Sequence, residues 1–304
     1  MENNFNIPIL LLIFNRPDTT QIVFNEIKKI RPSSLFIAGD GPRSEDEYRK
    51  IKETRNITNQ IDWECKFETL FRNKNLGCKM AVSSALNWFF RNNEMGIILE
   101  DDCVPHPSFF NFCSELLIKY RDEKKIMQIS GFNALKEVQI NESYYFAKFG
   151  PIWGWATWSR AWKHYDVQMI SWQRFKVSKS YKHFCDSKYE ERWRVKTYDK
   201  VANGLIDTWD YQWSFAKLKN SGLSIIPSRN LIRNIGFGEN ATHTSGNYMH
   251  SKIDFEKGLN FPLIHPDSIR RNKQLDKKFF NNFVLKNKFF GTLNKLFGNR
   301  IVNS

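Results

Sequence analysis

Three consecutive carboxylates, Glu100-Asp101-Asp102, are the strongest chemical signal in the chain. They follow the apolar run 96–99, which reads as a buried strand. Successive strand side chains point to opposite faces, so one acid is expected to aim away while its neighbours face a cleft. Clustered carboxylates repel and stay ionised only beside a cation, water or hydrogen-bond donors. A hard divalent ion with diphosphate oxygens would satisfy them. The competing reading is a solvated turn ahead of a helix, and the buried strand before the triplet tips the balance towards metal. A second pair of acids, Asp207 and Asp210, lies beside Trp209 and Trp213. Partial burial there would raise a carboxylate's pKa and suit it to general-base work. The plainer reading is a helix cap, and the two acids are rivals for the basic role. Gly236, Gly238 and Gly246 flank residues 239–245 and predict a mobile loop carrying His243, which could reach a diphosphate or metal. Trp155, Trp158 and Trp162 fall at helical spacing and read first as core. Trp155, next to Gly154, reads secondly as the wall of a sugar site.

These residues need a frame. Residues 8–14 form an apolar run typical of a buried parallel strand. Asp18 is then the expected helix N-cap with Gln21 behind it, and Val23, Phe24, Ile27 and Ile30 share one face up to Pro32. Strands are predicted at 34–38, 65–71, 96–99 and 126–130, with helices between them opening at Ser44 (a capping box with Glu47), at Gly77 and near Ser108. Alternating strands and helices imply an α/β fold with a mostly parallel sheet flanked by helices. Ligands of such sheets bind beyond the carboxyl ends of the strands. Arg16, Asp40, Asn73 and the acid triplet all fall there, along one rim. We expect a nucleotide-binding half over 1–150, a tryptophan-rich acceptor-side half over 151–264, and a basic amphipathic tail over 265–304.

Composition narrows the classes. The chain has 304 residues, enough to bury a core without disulfides or a structural metal. Its five cysteines form no Cys-x-x-Cys pair, which points to a reducing, cytoplasmic setting. No apolar run is long enough to span a bilayer. The net charge of +14 is segregated: residues 1–159 are neutral, 160–200 carry +6 and 265–304 carry +7. A neutral first half argues against a chain built to coat nucleic acid. The 160–200 segment could face an acidic acceptor or lipid phosphates. The Phe- and Lys-rich tail suits an anionic membrane surface, placing the protein at the inner face of the cytoplasmic membrane, or else docks on the main domain.

The segment from Glu100-Asp101-Asp102 through Pro107-Ser108-Phe109-Phe110 resembles the metal-binding segment of glycosyltransferases with the GT-A fold, especially the N-acetylglucosaminyltransferase I family. Other pieces follow in the same order. Pro8 to Arg16-Pro17 resembles that family's first strand and its arginine. Ala38-Gly39-Asp40-Gly41 resembles the segment with its nucleotide-contacting aspartate. Gly154-Trp155, Trp209-Asp210 with Trp213, and Ile235-Gly236-Phe237-Gly238 through His243 resemble its later motifs. The loop 73–77 is closer to the bacterial family-two glycosyltransferases. The likeness spans residues 7 to about 245. It implies a GT-A fold and an inverting, metal-dependent transfer of a hexose or N-acetylhexosamine from a nucleotide-diphosphate donor, with uridine the likeliest base. The acceptor would be a hydroxyl of a surface glycan or lipid-linked precursor. Asp102 would ligate manganese or magnesium. Glu100 and Asp101 would order the ribose side, while Arg16 and Asp40 would hold base and diphosphate. Asp210 would be the catalytic base. A sugar-phosphate nucleotidyltransferase is the alternative, and a noncatalytic nucleic-acid-binding protein a more distant one.

Overall fold

The structure is a computed structural model describing residues 5–236 and 257–285. Ten strands are present among these residues. They are β1 (Ile9–Ile13), β2 (Ser34–Gly39), β3 (Lys66–Phe71), β4 (Met95–Glu100), β5 (Cys103–Pro105), β6 (Ile126–Ser130), β7 (Tyr144–Ala147), β8 (Trp155–Trp158), β9 (Leu223–Pro227) and β10 (Ile232–Asn234). The principal helices are α1 (Pro17–Ile30), α2 (Tyr48–Asn56), α3 (Gly77–Asn92), α4 (Pro107–Lys119), α5 (Ser159–Trp162), α6 (Trp172–Val177), α7 (Lys188–Ala202), α8 (Asp210–Lys219) and α9 (Lys273–Phe279).

Eight strands form one sheet in the order β3-β2-β1-β4-β8-β6-β9-β7. The first four are parallel, as the alternating pattern predicts. β8 runs antiparallel to both of its neighbours, β4 and β6. β5 and β10 form a separate antiparallel pair. Alternate residues of β1 feed two cores. Ile9, Leu11 and Ile13 pack with α1 and α4 on one face, whereas Leu10 and Leu12 pack with α3, α5 and α8 on the other. The result is a three-layer, Rossmann-like α/β fold of the nucleotide-binding kind. No helix among the described residues is long and apolar enough to cross a membrane.

Several local expectations are corrected. Arg16, not Asp18, caps α1, with Pro17 at the first helical position and Asp18 one place inside. Ser44 makes no side-chain cap, because the Glu47 carboxylate instead accepts from the Arg43 and Asn15 side chains and the Arg43 backbone N–H. Trp155 and Trp158 lie in a strand, so their spacing of three sends them to opposite faces of the sheet. The first part of the C-terminal region is docked. Phe279 and Phe280 stack on Phe149, with centroids 5.1 and 5.9 Å away, and Leu275 and Asp276 are buried.

That docking is fastened by charges. Lys148 Nζ lies 2.5 Å from Glu190 and 2.8 Å from Asp186, and Arg194 Nε lies 2.9 Å from Glu190. Arg271 pairs with Asp186 and with Asp276, the latter at 3.0 Å. Three cations face three acids, tying the segment after β7 and α7 to α9.

Candidate functional site

β1, β2 and β4 end in register along one rim: Ile13 pairs with Gly39, and Leu12 with Glu100. The sheet order reverses between β1 and β4, since β1 connects to β2 on one side and β4 lies on the other. Such a reversal opens a crevice beyond the strand ends, where ligands of open α/β sheets bind. Arg16 and the acid triplet flank this crevice.

The two chain segments are tied together. Arg16 donates to Asp102 at 2.7 Å and stands 3.7 Å from Asp101. The Phe14 backbone N–H donates to Asp101 at 3.0 Å. Burial raises the Asp101 pKa to about 7, and the charge of Asp102 adds to this, against the pull of Arg16 and the Phe14 N–H. Glu100 is also raised well above the usual carboxylate range, by burial first and then by the charges of Asp102, Asp101 and Asp210. Its Oε1 is buried without a hydrogen-bond partner among the described residues. Burial works against the Arg16 charge, but the three acids outweigh it and raise its pKa.

Asp102 is also held from the far side. β10 pairs with β5, so the Ile235 N–H donates to the Asp102 carbonyl at 2.8 Å and Asn234 Nδ2 lies 3.3 Å from Asp102 Oδ1. A Cβ on Gly236 would fall 2.0 Å from Asp102 Oδ2. Only a glycine lets the chain pass so close. Neither Asn234 nor a role for Gly236 beyond loop freedom was evident in the sequence, because β10 is three residues long and its partner is remote. His243 and Gly238 lie outside the described residues.

Asp40 has a structural task in the loop it caps. Its carboxylate accepts from the backbone N–H groups of Gly41, Leu76 and Gly77 at 2.9–3.2 Å. These bonds fix the loop after β3 and the N-terminus of α3, where a negative charge is favoured. Both oxygens are engaged in shaping this loop, and a carboxylate's four acceptor sites leave room for a further donor.

Asp210 opens α8, and the Thr208 hydroxyl donates to it. Its charge is felt at Glu100, Cys78 and Tyr165, so it shares the triplet's electrostatic neighbourhood. Cys78, at the start of α3, has its thiol pushed up to about 12 by burial and by Glu100, Asp210, Asp207 and Asp40. Asp207 Oδ2 lies 3.2 Å from where a Cβ on Gly77 would sit. The two rival bases, from the second half of the chain, therefore share the electrostatic surroundings of Cys78 at the start of α3, and Asp207 lies against Gly77. Trp155 is corrected to a core residue. It is 0% exposed, stacked on Trp209 at 5.6 Å, and cannot form a sugar wall without rearrangement.

Among the described residues, no three Cys, His, Asp or Glu side chains gather as a metal cage. The donor set still suits a hard cation bound mainly through substrate phosphates, because three acids face Arg16 and one buried carboxylate oxygen is unpartnered.

The fold and rim thus define an α/β protein with a switch-point crevice lined by acids. No known family model and no curated protein matches the chain. Solved structures resemble part of it. HddC from Yersinia pseudotuberculosis matches with a TM-score of 0.32 at 8% identity, covering 51% of this chain and 77% of that one. A Bacillus anthracis protein assigned as a glucose-1-phosphate thymidylyltransferase, crystallised with a sucrose, matches with a TM-score of 0.31 at 9% identity, covering 52% and 73%. The 4-diphosphocytidyl-2C-methyl-D-erythritol synthase from Anaerococcus prevotii matches with a TM-score of 0.27 at 9% identity, covering 57% and 78%.

Proposed function

We propose that the protein is an inverting glycosyltransferase that moves a sugar from a nucleotide-diphosphate donor, with uridine as the base, to a hydroxyl of a glycan or lipid-linked glycan precursor. The observation that carries this reading is the meeting of Arg16, Asp101 and Asp102 at the switch point, with Asp210 within electrostatic reach of Glu100.

The donor's diphosphate would lie in the crevice between the ends of β1 and β4. Asp102 would hold a divalent ion, manganese or magnesium, which when bound neutralises the departing diphosphate. Arg16 keeps Asp102 oriented and offsets the crowded acids. Asp101, tethered to the Phe14 N–H, fixes the turn that presents Asp102. Asp40 holds the loop 73–77 that walls the nucleotide side. Asp210, oriented by Thr208, accepts the acceptor's hydroxyl proton as that oxygen bonds to the anomeric carbon. The bond from that carbon to the diphosphate breaks, and one in-line displacement inverts the centre.

The test is nucleotide release from a panel of sugar nucleotides, with and without manganese, for wild type and Asp102→Ala. Slow metal-dependent release from one donor, lost in the variant, is the expected result. Asp210→Asn should keep that release but lose transfer to an added acceptor, while Asp207→Asn should retain both. Pyrophosphate formation from a sugar phosphate and a nucleoside triphosphate, with no donor hydrolysis, would overturn the reading in favour of nucleotidyl transfer.

A further inference from the structure

A second concave feature lies away from the rim. A groove of about 480 Å³ runs along α7, lined by Tyr181, Arg192, Val195, Lys196, Lys200 and Leu205 with Glu191, Asp199 and Asn203. Arg192, Lys196 and Lys200 are spaced four apart, so they form one stripe on the helix. All three are exposed, and none has an ion pair among the described residues. The two acids of the lining are engaged elsewhere: Asp199 with Lys176 at 2.7 Å, and Glu191 with Lys188 at 3.5 Å. The groove therefore presents three uncompensated cations.

We infer that this groove binds an acidic saccharide, the extended part of the acceptor whose end is glycosylated at the rim. Three features favour a saccharide over other anions. The cations line a hollow rather than a flat face, which suits a chain better than a bilayer. Asn203 adds a neutral amide beside the cations, which donates to and accepts from the hydroxyl groups of a saccharide. Tyr181, Val195 and Leu205 supply the apolar surface that the C–H faces of a sugar ring need; Leu205 is 73% exposed. One lining residue is also close in sequence to the candidate base. Leu205 is two residues before Asp207 and five before Asp210, which bounds its Cα distance to the candidate base at about 18 Å. The acceptor role rests on the transfer reading above; the preference for an acidic saccharide does not.

The test uses the full chain and calorimetric titration with an oligogalacturonate and with the uncharged galactose oligomer of equal length. The acidic oligomer should bind at least about tenfold more tightly at low salt, and the advantage should shrink as salt rises. Lys196→Gln alone should weaken acidic binding about twofold to fivefold, as for an exposed ion pair. The triple change Arg192→Gln, Lys196→Gln and Lys200→Gln should erase the preference while leaving metal-dependent nucleotide release at the wild-type rate. Equal binding of the two oligomers would overturn the inference, as would a triple variant that keeps the preference. So would displacement of the oligogalacturonate by a DNA duplex or phosphatidylserine vesicles that bind more tightly through the same three cations. Nucleotide release missing from wild type, with the preference intact, would sink the transfer reading and spare the groove.

Discussion

Replacing Lys148 with methionine probes the charged fastening between α7 and the C-terminal segment. Lys148 and Glu190 have side chains only 1% and 3% exposed. Removing one partner of such a pair strands the other, at a cost of about 3–5 kcal/mol. Arg194 still pairs with Glu190 at 2.9 Å, which moves the expectation to about 3 kcal/mol, the lower end. For a chain of 304 residues that is a fall in melting temperature of about 5 °C. Urea unfolding and a thermal melt, both followed by circular dichroism, give the two values. Adding Glu190→Gln should cost at least about 1 kcal/mol less than the sum of the single changes, because both single changes break the same Lys148–Glu190 contact. A loss below about 1 kcal/mol for Lys148→Met, or strict additivity in the double variant, would refute the argument that these charges act as one buried unit. A chain ending at Pro266, which lacks Arg271, Asp276 and Phe280, should be markedly less stable.

Other expectations follow from single positions. Burial raises the Asp276 pKa to about 6 from 3.8, against the pull of Arg271 and Lys148, so its contribution to stability is complete below about pH 4 and lost as pH rises through 6. Asp276→Asn should therefore gain stability relative to wild type between pH 4 and 7 in urea titrations, and a relative loss over that range would contradict the burial argument. Gly236→Ala places a methyl group on the Asp102 carboxylate and should cut nucleotide release about 100-fold while changing the unfolding midpoint little. Gly77→Ala forces a side chain into φ +76° and should cost about 1–2 kcal/mol, measured by urea unfolding.

The parallel half of the fold was legible because β1, β2 and β4 are mostly apolar runs closed by polar or turn residues, as at 8–14 before Asn15-Arg16, whereas the edge strand β3 carries Lys66, Glu68 and Thr69. The rim followed, since chain order alone places Arg16 and the triplet beyond strand ends. What stayed hidden depended on distant partners. The β8 run Trp155 to Trp158 carries no period that separates strand from helix, and its antiparallel place between β4 and β6 is set by packing. The capping box at Ser44 failed because Arg43 beside it, and Asn15 far away in sequence, hold the Glu47 carboxylate. Asp40 reads as a nucleotide contact, and its bonds to the α3 amides become visible only once the loop after β3 is in place. Lys148 and Glu190 look like solvated charges in sequence, and only the docking of α9 explains why they are buried.

The placement of β8 bears on how the chain acquires its shape. β4 pairs with a strand some sixty residues downstream, and Ile126 of β6 pairs with Leu223 almost a hundred residues later. Contacts of such long sequence separation form late and slowly. A nascent chain that has completed β1 to β4 exposes the outer edge of β4, a row of unpaired amides on an apolar strand, until Trp155–Trp158 is synthesised. Open edges of this kind recruit other chains. Yield during expression should therefore depend on synthesis rate and chaperone supply more than on the stability of the finished protein.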